Sequence, residues 1–166
     1  MTREEVIEHE SSHASACLLL GIPIRRITAG HTEGCVTIGP GRCSARDYGI
    51  MVAAGWMAHG KVPDFPPRSD AYDGDERKLA AIVQALDWSD SDWNSLILDA
   101  WNFMARPEFE RAEVAFKAGL SDRYVLEGEM LAAVISCVRQ REVEEVVTDS
   151  LLRLEREKGK DVSIAA

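Results

Sequence analysis

Two histidines four residues apart, His9 and His13, sit in a segment that carries its own start and stop signals. Thr2 and Glu5 have capping-box spacing, the hydroxyl receiving backbone N–H groups and the glutamate reaching back. Val6, Ile7, Ala14, Cys17 and Leu18 supply an apolar stripe, and Gly21 with Pro23 ends the helix near Leu20. On a helix, residues four apart lie about 40° apart around the axis and about 6 Å along it. The two imidazoles therefore share a face and can reach one cation. Zn²⁺ takes histidine nitrogens readily and keeps a position open for water in catalytic sites. Glu10, about 100° around from His9, is placed to meet that water as a general base.

The rest of the chain reads as mostly helical, with one short β region after the motif helix. Two β-like runs, Ile24 to Ala29 and Gly34 to Ile38, flank Gly30-His31-Thr32-Glu33, and Gly39-Pro40-Gly41 closes the second. An apolar helix is expected from Tyr48 to His59, then a loop from Gly60 to Pro67. A helix beginning near Asp73 or Asp75 should run to about Leu86. Further helices are expected over Asp92–Ala105, Glu108–Ala118, Asp122–Val138 and Glu142–Glu157, with Pro107 and Gly119 as punctuation. Residues 159–166 read as a frayed tail.

Composition narrows the function classes. The 166 residues are 46% hydrophobic and 28% charged, as in ordinary globular domains. The net charge of -9 repels nucleic acid and anionic lipid, so no nucleic-acid or membrane partner is expected. No apolar run, the stretch from Ala14 to Leu20 included, approaches the roughly 20 residues a bilayer requires. With no signal peptide visible, a cytoplasmic protein is expected, its four cysteines present as thiols. Cys17 and Cys137 read as small core residues on apolar helical faces. Cys35 and Cys43 lack zinc-ribbon spacing.

HExxH supplies two ligands, and no histidine follows on the same helix at a spacing that would extend the motif. The third ligand must come from elsewhere, and the carboxylate cluster Asp70, Asp73, Asp75 and Glu76 is the richest source. Asp73 and Glu76 have capping-box spacing, which would employ Asp73 at a helix start and leave Asp75 in the first turn.

His9-Glu10-Ser11-Ser12-His13-Ala14, followed by the run from Leu18 through Gly21 and Pro23 to Ile27, resembles the peptidase domain of the FtsH family of ATP-dependent zinc proteases. Glu33-Gly34-Cys35-Val36-Thr37 is similar to that family's small-residue strand beside the active site. Ala53 to His59 is similar to its Ala-Gly-x-x-Ala-Glu helix, with His59 where glutamate is usual. The segment from Asp73 to Ala80 looks like its Asn-Asp-Leu-x-x-Ala segment. The likeness spans about half the chain, from Glu4 to Leu86. It implies a mainly α, helical zinc-metallopeptidase domain over residues 1–158, with His9, His13 and Asp75 as ligands and Glu10 as base. Asp70 and Asp73 remain the other candidates for the third ligand. Gly34, Cys35, Val36 and Thr37 would form an edge strand that binds extended substrate through main-chain hydrogen bonds. No GxxxxGK[ST] loop occurs in the chain, so a stand-alone peptidase is expected, with any ATPase partner encoded elsewhere.

Among the remaining residues, His31 reads as a turn residue and His59 as a helix C-terminal group favoured by the dipole. Trp88, Trp93, Trp101 and Phe103 read as core or helix contacts. Arg139, Arg141 and the Glu142-Glu144-Glu145 run read as a solvated helix face. The expected function is zinc-dependent hydrolysis of peptide bonds in unfolded or flexible polypeptides. The alternative is a catalytically silent, zinc-stabilised peptidase fold that binds a peptide or partner. Homo-oligomer formation is left open.

Overall fold

The computed structural model describes residues 1–62, 64–69, 74–141 and 148. Asp70, Asp73, Pro63, the tail at 159–166 and the expected Glu142–Glu157 helix, apart from Thr148, lie outside the described residues. The described residues are mainly helical with one small antiparallel sheet. In chain order the elements are α1 (Arg3–Leu19), β1 (Ile24–Ala29), β2 (Gly34–Ile38), α2 (Ala45–Met57), α3 (Gly74–Leu86), α4 (Asp90–Met104), α5 (Pro107–Ser121) and β3 (Val125–Glu127). A further helix, α6, covers residues 128–141. None of the described helices is long and apolar enough to cross a membrane.

Both ends of α1 form as their residues dictate. The Thr2 hydroxyl accepts the Glu5 N–H while the Glu5 carboxylate accepts the Thr2 N–H, a complete capping box. At the other end Gly21 adopts φ 70°, and the Gly21 and Ile22 N–H groups close on the Leu18 and Cys17 carbonyls. This left-handed turn suits glycine, and it aims the chain into β1.

Between its caps, α1 runs through two apolar clusters. Ala16 and Cys17 join Val52, Leu79, Trp93 and Leu96 in one, built with α2, α3 and α4. Val6, Ile7 and Ala14 join Ile27, Phe116, Leu120, Leu126 and Val138 in the other, built with the sheet, α5 and α6. The middle of α1 is therefore walled on both sides, so its polar residues are buried by position. Arg3 ties the helix start to α5, donating to the carbonyls of Leu120, Ser121 and Arg123.

The sheet order is β2-β1-β3. β1 pairs with β2 through Ile27↔Val36 and Ala29↔Gly34, and with β3 through Ile27↔Leu126. Ile27 and Ala29 point into the core. β2 is thus an outer strand of the sheet, at its edge among the described residues.

Several expectations need correction. The segment expected to be helical from Asp122 begins instead with β3, because Val125 and Leu126 fit the free side of β1, and α6 starts only after them. Gly119 does not stop α5, which continues to Ser121. A Cβ there would lie 3.0 Å from Leu126 and 3.1 Å from Val134, so the glycine serves close packing. Cys137 is exposed rather than in the core, and Trp101 is 43% exposed. Trp93 and Phe103 are buried as expected, as is Cys17. α2 starts three residues earlier than Tyr48, at the Ser44 cap, and ends at Met57.

Candidate metal centre

Three elements converge on the motif turn of α1. α2 crosses it so closely that a Cβ on Gly55 would overlap the His13 ring. The same helix sets the Met51 carbonyl 2.8 Å from His13 Nδ1. A carbonyl can only accept, so Nδ1 carries a proton and donates it. In the neutral ring Nε2 then presents its lone pair on the opposite side. On the sheet side, a Cβ on Gly34 of β2 would lie 2.5 Å from Glu10 Cγ, so only glycine lets the strand approach so near.

The third element is α3, whose first turn carries Asp75. Its Oδ2 lies 2.8 Å from His9 Nε2 and 2.8 Å from His13 Nε2, and the two ring nitrogens are 3.1 Å apart. Asp75 and His13 are almost fully buried. The other carboxylate oxygen, Oδ1, accepts from Lys78 Nζ at 2.6 Å.

This donor set suits a cation. Zinc bonds of 2.0–2.1 Å at tetrahedral angles put ligand atoms roughly 3.3 Å apart. The observed separations of 2.8 and 3.1 Å need only a slight opening to meet that value. Two nitrogens and one carboxylate oxygen are also a ligand set that zinc takes in catalytic sites. Glu10 adds a further sign: it is buried, and its Oε2 has no hydrogen-bond partner among the described residues.

Electrostatics agree with the geometry. Burial opposes ionisation of Asp75, but His13, His9 and Lys78 together hold its carboxyl well below the usual carboxylate range. Burial likewise opposes a charge on His13, and Asp75 outweighs it, raising the His13 pKa. The cluster therefore favours positive charge at its centre, whether a proton or a metal ion supplies it. Burial pushes the Glu10 carboxyl up, against the pull of the two histidines. Burial also works against the Lys78 ammonium, and the contact with Asp75 prevails to raise its pKa.

His9, Glu10, His13 and Asp75 are thus brought together from residues far apart in the chain. Glu76 is directed elsewhere, its carboxylate accepting the Arg68 backbone N–H at 3.0 Å. Gly34 reaches the site directly, while Cys35 and Thr37 are exposed along β2 and Val36 is partly buried. His31 pairs with the Tyr124 hydroxyl at 3.1 Å. His59 lies just beyond α2, its ring stacked on His9 at 5.6 Å and 9°, and burial lowers its pKa. It also borders a cleft of about 430 Å³ with His9, Trp56 and Lys61.

Sequence reasoning gave no part to Met51, Gly55 or Lys78. Met51 contributes a backbone carbonyl, which leaves no signature in a side chain. Lys78 could have been found from its spacing, three residues after Asp75 and so on the same helical face. No protein-family model matches the chain, and a comparison with curated proteins finds no match.

Proposed function

We propose that the chain is a zinc-dependent endopeptidase of the FtsH-peptidase type, acting in the cytoplasm on unfolded or flexible polypeptides. The observation that carries this reading is the convergence of His9 Nε2, His13 Nε2 and Asp75 Oδ2, with the buried carboxylate of Glu10 immediately after His9 on α1. When bound there, zinc would supply a Lewis acid that polarises a peptide carbonyl and brings the pKa of a coordinated water to about 7.

The protein's own groups do the remaining work. Glu10 receives a proton at its carboxylate and passes it to the departing amine. His13 is fixed by Met51, and His9 is held by stacking against His59. β2 would add an extended substrate as a further strand along Gly34, Cys35, Val36 and Thr37. At Gly34 the absent side chain lets β2 lie directly against Glu10, which brings a substrate paired with that strand near the general base.

Replacing Glu10 tests the chemistry apart from the metal. Glu10→Gln should retain zinc and lose cleavage of an unfolded test protein by about 10²–10⁴-fold, because an amide cannot take the proton. Cleavage at the parent rate by a zinc-loaded Glu10→Gln protein would refute the peptidase reading. A parent that binds zinc and cleaves nothing would favour a silent binding module.

A further inference from the structure

Asp75 divides its two oxygens between different tasks. Oδ2 faces both imidazoles at 2.8 Å, and Oδ1 faces the Lys78 ammonium at 2.6 Å. Lys78 lies one helical turn after Asp75 on α3, so both side chains project from one face. We infer that Lys78 is a positioning residue of the metal site, holding Asp75 Oδ1 so that the carboxylate offers Oδ2 alone to the cation. This rests on reading His9, His13 and Asp75 as a metal centre.

An ordinary i,i+3 ion pair on a helix surface contributes little, because water solvates both partners. This pair differs. The Asp75 side chain is 6% exposed and that of Lys78 is 48% exposed, so the ammonium reaches inward from the rim to a buried oxygen. A charge-assisted bond to such an oxygen is short and strong, and with Oδ2 engaged by the two imidazoles it holds the carboxylate plane from both ends. That plane decides how many oxygens reach a metal. With Oδ1 engaged, the site has two nitrogens and one oxygen, leaving the fourth tetrahedral position for water or substrate. If Oδ1 swung onto the metal as well, it would take up the space on which the chemistry depends.

Two variants of the full chain, Lys78→Met and Lys78→Arg, test the inference by metal binding. Methionine keeps an unbranched apolar stem and removes the charge, whereas arginine keeps both charge and donors. Zinc affinity is measured by competition with a chelator, and ligand number by the visible absorption of the cobalt(II)-loaded protein. Lys78→Met should bind zinc about 10–100-fold more weakly, the usual effect of removing a group that orients a ligand. Its cobalt bands should lose intensity as Oδ1 joins the metal and the site leaves tetrahedral geometry. Lys78→Arg should restore both readouts.

Parental affinity and parental cobalt bands in Lys78→Met would overturn the inference while leaving the metal centre standing. So would an equal loss of affinity in both variants with parental bands, since a general disturbance would then explain the change. A parent protein that takes up no zinc would overturn the metal reading itself, and the role of Lys78 with it.

Discussion

α1 and α4 start in the same way and bury opposite chemistry. Each opens with a complete capping box, Thr2 with Glu5 and Ser89 with Asp92. α4 then buries Trp93, Leu96, Ile97, Ala100 and Phe103, an all-apolar face. α1 buries Glu10, Ser11, Ser12, His13 and Ser15 alongside its apolar residues. Ser12 and Ser15 find acceptors in Glu113 and the Ser11 carbonyl. His9 Nδ1, Glu10 Oε2 and Ser11 Oγ are buried without a hydrogen-bond partner among the described residues. Each such group costs about 1–3 kcal/mol. Each large apolar side chain buried on α4 returns about 1.5–3 kcal/mol. α4 thus contributes only apolar burial, whereas α1 contributes apolar burial to both clusters and carries the cost of a polar stretch between them.

The sharpest way to break this comparison is to damage α4 and ask whether the metal centre notices. Trp93→Ala removes the largest fully buried side chain and should destabilise the protein by about 3–5 kcal/mol. Urea unfolding measures the loss. Below the transition, the remaining folded protein should bind zinc with parental affinity. A large drop in affinity there would mean that the two regions are not separable.

The converse experiment targets the crossing of α1 and α2. In Gly55→Ala the new Cβ meets the His13 ring, which must rotate or push α2 away. Overpacking of this kind costs about 1–3 kcal/mol of stability, less than Trp93→Ala, whereas zinc binding should suffer severely. Chelator competition and urea unfolding on the same variant separate the two effects. Parental zinc affinity in Gly55→Ala would show that the tight crossing does not position His13.

The smallest expected effect concerns the outer strand. Val36→Pro removes one backbone donor from the open side of β2, because the pairs Thr28↔Cys35 and Arg26↔Thr37 turn the neighbouring N–H groups toward β1. If the strand cradles substrate, the folded variant should bind zinc as the parent does and cleave roughly tenfold more slowly, the equivalent of one lost hydrogen bond. Parental cleavage by the folded variant would remove β2 from the substrate site.

What could be read from the sequence follows the range of the interactions involved. α1 was legible because its caps, its apolar stripe and both histidines lie within twenty residues of one another. Asp75 was harder, since it meets His9 across 66 positions of sequence. Among the neighbouring carboxylates, capping-box spacing assigned Asp73 to the helix start, and the family resemblance independently favoured Asp75. Glu76 becomes distinct only when its partner, the Arg68 N–H, is seen. β3 was missed because three residues leading into a helix carry little periodicity of their own, and the free side of β1 decides their conformation. The closeness of Gly55 to His13 and of Gly34 to Glu10 is equally invisible locally, because each glycine answers to a side chain on another element.

The central claim is that His9, His13 and Asp75 hold one zinc ion, and direct zinc analysis with chelator competition tests it best. The parent protein should carry about one zinc per chain, and His13→Ala should lose it. Asp75→Asn should weaken binding markedly, since a neutral amide is a poor substitute for a carboxylate on zinc, while Asp70→Asn should bind as the parent does. A parent that binds no zinc, or an Asp75→Asn protein that holds it as firmly as the parent while Asp70→Asn releases it, would contradict the assignment.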